Sequence, residues 1–452
     1  MVDFSVITFT VITTHSLTNI SENRISSAVQ TLHPPSARNE TKPRRIVVKF
    51  GGSSLADKER ITKAAKLISD EFNKGTRLVV VVSAMGKMTD QLFSLVNHES
   101  GETSDKTSDI DDVLSMGERT SVRVFSTALK RVGLDAKYFD PSDPDWPIIT
   151  DDQYSNANPI LELCLQKVRE HVDPLLSRGK VPVIAGFVGR STSGRVSTIG
   201  RGGSDTTAFI LAKGIGADEV VLVTDADGIL SADPKLIQNA KKLNRIDVST
   251  LIGLADSGTK FIHRKALRYK DREIPVRVIS HRKESLDAEG TIITGGVDSE
   301  VEVTLASNTP SMSVTVAGKG ISENPAIMTV IAKEIKNNSA LYGLSADFDS
   351  IIFYVPQTDQ EKLLGKVHEL VTSQEETLAM AVQRDLAFLR IKGVGLEDTP
   401  GIIGKISTRL EERRINIFGM LTLASSILVF VSWKEKEEAL NLMKQVVKGE
   451  DS

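Results

Sequence analysis

The chain has 452 residues, of which 40% are hydrophobic and 25% are charged, so its length and composition predict a globular protein of two or three domains. Its formal net charge of −3 argues against a nucleic-acid or anionic-membrane partner, and no apolar run is long enough to span a bilayer. The single cysteine, Cys164, excludes an intrachain disulfide and fits a reducing compartment, which predicts a cytoplasmic location.

Residues 1–45 differ in composition from the rest of the chain and are predicted to be disordered. Phe4 to Ile12 is a short β-branched run, and prolines and basic residues follow it. Asp3 stands where a signal peptide would carry positive charge, so a secretory signal is not indicated. An organelle-targeting segment, a dispensable tail and a start codon assigned too early remain open as interpretations.

The predicted fold begins with a βαβ unit. The apolar runs 46–50 and 78–82 are typical of buried parallel strands, and residues 61–72 between them carry apolar side chains at helical spacing. Gly51–Ser54 and Ser83–Thr89 follow the two strands directly. Because ligands of such sheets bind at the carboxyl ends of the strands, we expect both turns to border a binding site.

The alternation of helix and strand continues through the middle of the chain. Ser100 to Asp112 is polar and predicts a mobile loop, and residues 113–130 predict a helix. Val220 to Asp225 is a buried strand with a polar end, and 276–279 is the last predicted strand. Residues 46–295 are therefore expected to form one three-layer α/β/α domain with a mostly parallel central sheet.

A glycine-rich stretch, Thr198-Ile199-Gly200-Arg201-Gly202-Gly203-Ser204-Asp205, stands between an apolar strand-like run and a predicted helix over 206–212. Glycines before a helix let backbone N–H groups approach an anionic ligand. Arg201 adds a planar donor suited to a carboxylate or phosphate, and Asp205 is placed to meet a metal or a catalytic lysine. A glycine-rich turn with a capping serine or aspartate is the structural alternative.

The chain after the Gly295-Gly296 linker repeats itself. A strand, loop and helix over 313–336 is echoed over 388–413, and each copy continues into further strand-like runs. We therefore predict two small α+β domains of βαββαβ type, over 305–380 and 381–452, that sense a ligand or mediate dimerisation.

The chemistry of the strand ends favours phosphoryl transfer. Lys49 lies beside two glycines and Ser53, a cation next to backbone donors that suits a polyphosphate, although the lysine precedes the glycines, unlike in a P-loop. The alternative is that Lys49 merely extends its ammonium from a strand end into solvent. The sequence offers no nucleophile–base pair, and its seven histidines lack metal-ligand spacing. Positioning and charge neutralisation are what phosphoryl transfer requires.

Taken together, these motifs resemble aspartate kinases, members of the amino-acid kinase superfamily that carry tandem C-terminal ACT domains. The resemblance extends over about residues 46 to 445 and is carried by five ordered blocks: Lys49-Phe50-Gly51-Gly52-Ser53-Ser54, Ser83-Ala84-Met85-Gly86, Ser115-Met116-Gly117-Glu118-Arg119, Gly200 to Asp205, and Thr224-Asp225-Ala226-Asp227-Gly228. Five blocks in order are far more specific than any one of them.

The resemblance implies ATP-dependent phosphorylation of L-aspartate to 4-phospho-L-aspartate, the first step toward lysine, threonine and methionine. Lys49 and Asp205 would be catalytic, Arg201 would hold the α-carboxylate, and Glu118 would lie near the amino group. The remaining assignments by resemblance are a substrate pocket completed by Ser83, Thr89 and Ser204, and an ATP site lined by Gly51, Gly52, Ser53, Thr224, Asp225, Lys235 and Lys260. Magnesium would bridge the phosphates without a protein ligand. A homodimer or higher homo-oligomer, with an amino-acid effector at the ACT domains, is also implied.

Some positions depart from the family pattern. Lys235 replaces the usual arginine, Leu230 a tyrosine, and Arg264 a proline, without removing the inferred catalytic core. In the first ACT-like unit, Ala326 replaces the glycine of a Pro-Gly turn that the second unit keeps, and alanine disfavours positive φ. Effector binding by the first unit is therefore open.

Two other functions stay open at this point. The first is another member of the superfamily acting on glutamate or a similar carboxylate, which the ACT-like tail and Gly117-Glu118-Arg119 argue against. The second is a catalytically silent amino-acid sensor. Retention of Lys49, Glu118, Arg201 and Asp205 together argues against a silent protein, which has no use for all four.

Overall fold

The computed structural model describes residues 42–96, 104–233, 236–255, 262–297, 301–321, 325–358, 360–373, 379–393, 396, 401–423 and 426–449. The tail predicted over 1–45 thus lies outside the described residues except for its last four. No helix in these ranges is both long enough and apolar enough to cross a membrane.

The first half of the chain alternates strands and helices around an eight-stranded sheet. Its elements are β1 (Arg45–Phe50), α1 (Lys58–Asn73), β2 (Arg77–Val82), α2 (Met88–Val96), α3 (Ser104–Arg131), β3 (Ala136–Phe139), β4 (Ile149–Thr150), α4 (Leu161–Lys167), α5 (Asp173–Ser177), β5 (Val181–Ala185), β6 (Val188–Ser191), β7 (Val196–Thr198), α6 (Gly203–Ile215), β8 (Glu219–Thr224), β9 (Arg245–Asp247), α7 (Val248–Ala255), α8 (Arg264–Leu267), β10 (Val276–Ser280) and β11 (Thr291–Thr294). The order of strands in the sheet is β3-β5-β2-β1-β8-β10-β11-β9. Strands β4, β6 and β7 form a small separate sheet.

The large sheet is parallel except where β10 meets β11. In β2, the five residues 78–82 are all fully buried, and since neighbouring side chains point to opposite faces, both faces must be covered. The predicted mostly parallel α/β domain is confirmed. The prediction that residues 276–279 form its last strand is wrong, because β11 follows and pairs antiparallel with β10.

Helix α3 is longer than the sequence pattern indicates. Its 28 residues extend about 42 Å and include residues 104–112, so the loop predicted over 100–112 is wrong for that part. Residues 100–103 lie outside the described residues. The polar character of this stretch misled the prediction because one of its acids, Asp111, is fully buried rather than solvated.

A network of charges fixes the edge of the sheet opposite the strand ends that carry the predicted site. The Glu71 carboxylate is 2% exposed and accepts hydrogen bonds from Arg44 (3.2 Å), Lys74 (2.7 Å) and Thr76 (2.7 Å). Arg44 also binds Glu219 at 2.7 Å. These contacts join the start of β1 to α1 and β8, so their role is structural.

The second half of the chain forms one continuous sheet with helices. Its elements are β12 (Glu302–Leu305), β13 (Ser311–Ala317), α9 (Pro325–Asn338), β14 (Gly343–Ala346), β15 (Ser350–Pro356), α10 (Gln360–Thr372), β16 (Ala379–Lys392), α11 (Ile402–Glu412), β17 (Gly419–Leu423), β18 (Ser426–Ser432) and α12 (Lys436–Lys448). The strand order is β14-β15-β13-β16-β18-β17, with β12 also paired to β16. The two predicted α+β units are present as two hydrophobic cores, one beneath α9 and α10 and the other beneath α11 and α12.

Strand β16 is shared between the two units. Residues 379–383 pair with β13 of the first unit, and residues 386–392 pair with β18 of the second. Residues 389–392 also pair with β12, and Leu386 also pairs with Ser311 of β13. Asp385, between the two parts, has a positive φ of 56°. The boundary predicted at residue 381 falls inside this strand and stays a prediction.

An aromatic layer joins the two units on the sheet face away from their helices. The rings of Tyr354 and Phe430 are stacked with centroids 3.8 Å apart, and Phe388 stacks on Phe430 at 5.0 Å. At the sheet edges, a side chain at Gly343 would come within 2.6 Å of the Leu421 Cδ1. The sheet therefore folds over so that its two halves face each other across aromatic side chains.

Candidate active site

A cleft of about 690 Å³ opens at the carboxyl ends of β1, β2 and β5, in front of α6. Eight residues predicted from the sequence line it: Lys49, Gly52, Ser83, Thr89, Glu118, Arg201, Ser204 and Asp205. The structure thus brings together residues separated by up to 156 positions in the chain. Their individual roles stay predictions.

Lys49 and Asp205 form an ion pair in this cleft. Lys49 lies near the end of β1, and Asp205 lies in the first turn of α6. The Lys49 Nζ is 2.7 Å from Asp205 Oδ1, although the ammonium is not aligned for a hydrogen bond to that oxygen. Both side chains are largely buried, so the pair places a positive charge at a fixed point in the cleft.

The turns that follow β1 and β2 are in backbone contact. The Gly86 N–H donates to the Gly52 carbonyl at 3.0 Å. A Cβ at position 52 would lie 2.6 Å from the Ala84 carbonyl oxygen, a distance that no side chain tolerates. Glycine at position 52 is therefore required for the two turns to approach each other at the edge of the cleft.

The glycine-rich stretch forms a left-handed turn that opens into α6. Gly200 and Gly202 have φ values of 81° and 77°. A Cβ at Gly203 would lie 2.9 Å from the Phe187 Cα, so the start of α6 packs against the turn between β5 and β6. Ser204 in the first helical turn accepts a hydrogen bond from Ser83 Oγ at 3.0 Å. The amino end of α6 faces the cleft, where its dipole favours an anionic group.

Arg201 offers its charge to a ligand. Its side chain is exposed and lines the cleft. Within the described residues, its guanidinium has no hydrogen-bond or ion-pair partner. A planar donor that lines a cleft and that no described acid of the protein neutralises suits a carboxylate or phosphate.

Glu118 is the most deeply buried acid of the cleft. Its side chain is 3% exposed, and Oε1 accepts a hydrogen bond from the Ala84 N–H at 3.1 Å. The second oxygen, Oε2, is buried and has no partner among the described residues. Burial raises the pKa of Glu118 to about 8. The site thus holds an acid that has no cationic partner among the described residues.

Arg119 anchors α3 next to Glu118. Its Nε and Nη2 donate to the two oxygens of Asp140, both at 3.0 Å. Asp140 follows β3. Burial raises its pKa, but hydrogen bonds from Arg119, the Ser142 N–H and Arg123 outweigh burial and lower the pKa to about 2. This bidentate contact ties α3 to the sheet at the position adjacent to Glu118.

Only some of the predicted nucleotide-binding residues lie within the described residues. Four of them lie at the ends of β1 and β8, outside the lining of the cleft: Gly51, Ser53, Thr224 and Asp225. The Gly51 N–H donates to Val223 O at 3.1 Å, which joins the two strand ends. Lys235 and Lys260 lie outside the described residues. The assignment of an ATP site to this side therefore stays a prediction.

Sequence reasoning missed several residues that shape the cleft. Phe187 and Ser155 line it with positive φ values of 69° and 65°, which non-glycine residues rarely adopt. Asp111 and Lys265 are buried behind the glycine-rich stretch. No local pattern marks any of these four, because their positions depend on contacts with distant segments.

Comparison with known proteins gives matches over both halves of the chain. A model of the amino acid kinase family matches residues 44–280, and a model of the ACT domain matches residues 381–445. The aspartokinase of Thermus thermophilus is 32% identical over 413 residues, covering 88% of this chain and 98% of that protein. Among solved structures, aspartate kinase from Synechocystis aligns with a TM-score of 0.72 and 25% identity over 89% of this chain and 69% of that one. Aspartokinase III of E. coli in complex with aspartate and ADP shares the fold, with a TM-score of 0.51 and 22% identity over 89% of this chain and 100% of that one.

Proposed function

Because this chain belongs to the aspartokinase family of amino acid kinases, we propose that its cleft transfers the γ-phosphoryl group of ATP to the side-chain carboxylate of L-aspartate. The products are 4-phospho-L-aspartate and ADP. The observation that carries the assignment is one cleft that holds the Lys49–Asp205 pair together with Arg201 and a buried oxygen of Glu118, both of which lack partners among the described residues. This reaction is the first step toward lysine, threonine and methionine.

In the proposed complex, opposite charges on the protein match the two charged groups on the α-carbon of aspartate. Arg201 binds the α-carboxylate, and the free oxygen of Glu118 accepts from the ammonium group. Ser83, Thr89 and Ser204 supply hydroxyls around the substrate. Both charged groups on the α-carbon are thereby held, which leaves the side-chain carboxylate to face Lys49.

The chemical step needs no general base. The side-chain carboxylate of aspartate is ionised at neutral pH and attacks the γ-phosphorus, while the bond from that phosphorus to the bridging oxygen of ADP breaks. Lys49 and the amino end of α6 stabilise the charge on the transferring group. Asp205 holds the Lys49 ammonium in place. The lack of a nucleophile–base pair in the predicted site agrees with this step.

The nucleotide is proposed to lie on the β8 side of the cleft, where Gly51, Gly52, Ser53, Thr224 and Asp225 line the strand ends, with Lys235 and Lys260 as further predicted contacts. Within the described residues, no group of three or more His, Cys, Asp or Glu side chains is placed to hold a metal. A magnesium ion is proposed to accompany ATP, and phosphate oxygens of the nucleotide would hold it. The ion would supply charge neutralisation on the phosphates.

Replacing Arg201 tests which part of the site binds aspartate and which part binds ATP. We expect Arg201→Ala to raise the KM for aspartate by about 10- to 100-fold, the loss of a charged hydrogen-bond pair, while the KM for ATP changes little. Steady-state kinetics with each substrate varied in turn measures this. Arg178→Ala, which removes an exposed arginine after α5, is the matched control. A rise in the KM for ATP alone would mean that the substrate and nucleotide halves are interchanged.

A hydroxamate-trapping assay tests the reaction itself. With ATP, magnesium and L-aspartate we expect aspartyl hydroxamate, and with another carboxylate in place of aspartate we expect little product. Product with glutamate but none with aspartate would replace the substrate, and no product with any carboxylate would favour a silent sensor. Repeating the assay with lysine or threonine tests the proposed amino-acid effector at the ACT domains. A homodimer or higher homo-oligomer in the cytoplasm remains a prediction.

A further inference from the structure

Two buried charged side chains contact the loop that carries Arg201 but have no part in the proposed mechanism. The loop comprises residues 198–203 and is called the Arg201 loop. Asp111, in α3, is fully buried, and Lys265, in α8, is 7% exposed. Burying a charge is unfavourable unless its hydrogen bonds are satisfied, so the partners of these two groups indicate what they hold in place.

Asp111 binds two chain segments at once. Its Oδ2 accepts from the backbone N–H of Thr198 at 2.7 Å and of Ser155 at 2.8 Å. Its Oδ1 accepts from the hydroxyl of Thr198 at 2.8 Å and of Ser155 at 3.2 Å. Each of its oxygens thus joins the start of the Arg201 loop to residue 155, which lies 43 positions earlier in the chain.

Lys265 binds the same two segments through their carbonyl groups. Its Nζ donates to Ile199 O at 2.7 Å, to Asn156 O and Oδ1 at 2.8 Å each, and to Ala157 O at 2.9 Å. All four acceptors are neutral, and burial lowers the pKa of Lys265 to about 8. Asp111 therefore accepts hydrogen bonds from the N–H and hydroxyl groups of these segments, while Lys265 donates hydrogen bonds to their carbonyl oxygens.

The two segments together support the residue before Arg201. The Ala157 N–H donates to Thr198 O at 2.9 Å. Gly200 rests directly on this layer, since a Cβ there would lie 2.9 Å from Asn156 Oδ1 and 3.2 Å from Ser155 O. The guanidinium of Arg201 has no partner among the described residues, so the backbone of the Arg201 loop sets the point from which this side chain reaches into the cleft.

We propose that Asp111 and Lys265 are positioning residues that hold the Arg201 loop in the conformation that receives the α-carboxylate of the substrate. The proposal rests on the proposed function, in which Arg201 binds that carboxylate. Neither residue touches the substrate. Their effect is to settle the position of the arginine before binding, so that the substrate does not have to order the loop.

Two substitutions of Asp111 test whether its hydrogen bonds to the Arg201 loop are what substrate binding requires. Asp111→Ala leaves the N–H groups of Thr198 and Ser155 without an acceptor, and we expect at least a tenfold rise in the KM for aspartate with the KM for ATP unchanged within twofold. Asp111→Asn can still accept from both N–H groups through its carbonyl and donate to both hydroxyls through its amide, so it should restore the KM for aspartate to within about threefold. Lys265→Met should behave like Asp111→Ala.

The decisive measurement is the double variant Arg201→Ala/Asp111→Ala, with kinetics on the full chain. If Asp111 acts through Arg201, adding Asp111→Ala to Arg201→Ala should change the KM for aspartate by less than twofold. A full additional tenfold rise, or an equal rise in the KM for ATP, would overturn the proposal. Should Asp111→Ala fail to fold, Thr198→Val in the same two backgrounds removes one donor and gives the same comparison.

A control distinguishes this effect from general loss of stability. Glu71→Ala also removes a buried, multiply bonded carboxylate, at the opposite edge of the sheet, and is expected to lower the melting temperature without changing the KM for aspartate. An equal rise in KM in that variant would overturn a specific role for Asp111. Wild-type protein without aspartate turnover would overturn the proposed function itself, whereas additivity in an active enzyme would overturn only the positioning role.

Discussion

Lys49→Met is expected to lower kcat by about 10²- to 10³-fold, the loss observed when one preorganised electrostatic donor is removed from an active site. Lys49 lies 2.7 Å from Asp205 in the cleft, so its charge is already in position before the substrate arrives. Methionine has nearly the same length, and the fold should therefore survive. Because the lysine acts on charge that develops during transfer, the KM values should change much less than kcat.

Two comparisons make the Lys49 result specific. Lys66→Met removes an exposed lysine from α1 and should leave kcat unchanged. Asp205→Asn should lower kcat as well, and the double variant Lys49→Met/Asp205→Asn should be little worse than Lys49→Met alone, since the carboxylate is proposed to act by holding the ammonium. Unchanged turnover in Lys49→Met would remove this lysine from the mechanism.

The core of the fold and much of the cleft follow from local sequence patterns. The continuous apolar runs of β1 and β2 predict buried parallel strands, and polar residues directly after such strands meet at one edge of the sheet. That rule alone places Lys49 near Ser83. The glycines of the Arg201 loop can also be recognised in the sequence, because they adopt backbone conformations that few other residues allow.

The buried residues that hold the lining of the cleft in place could not be predicted in this way. Asp111 lies in a polar stretch that has the composition of a solvated loop, and it is buried only because Ser155 and Thr198, 44 and 87 positions away, supply its hydrogen bonds. Strand β16 presents a similar case. Its division between two units is decided by which strands pair with each half, and a repeat in the sequence does not reveal that pairing.

The second large effect that we expect is a strong pH dependence of the KM for aspartate, which arises from Glu118. Burial raises its pKa to about 8, so in the free enzyme it is protonated at neutral pH, whereas the ammonium group of aspartate requires the carboxylate. Substrate binding must therefore release a proton below pH 8. As the pH rises, the KM for aspartate should fall, by about tenfold per pH unit well below pH 8 and less steeply near it, and then level off. The total fall between pH 6 and pH 8 is about 50-fold.

Variants of the other charged residues in the cleft test whether the pH dependence of the KM arises from Glu118. Lys49, Arg201, Asp205 and the exposed Asp90 line the same space. Glu118→Gln keeps the acceptor for the Ala84 N–H but cannot ionise, so its KM for aspartate should be high and nearly independent of pH. Asp90→Asn should keep the wild-type profile. If Asp90→Asn flattened the profile while Glu118→Gln kept it, the titrating group would be Asp90.

Folding stability gives an independent reading of the same carboxyl group. The folded chain keeps the Glu118 proton up to about pH 8, whereas the unfolded chain loses it near the ordinary value of 4.5. Between these values the folded state binds more protons, so the contribution of Glu118 to the free energy of unfolding falls as the pH rises. Denaturant titrations between pH 5 and pH 8 should therefore show a weaker decline for Glu118→Gln than for the wild type. Aspartate should oppose the decline in the wild type alone, because the bound ammonium replaces the proton as the partner of the buried oxygen.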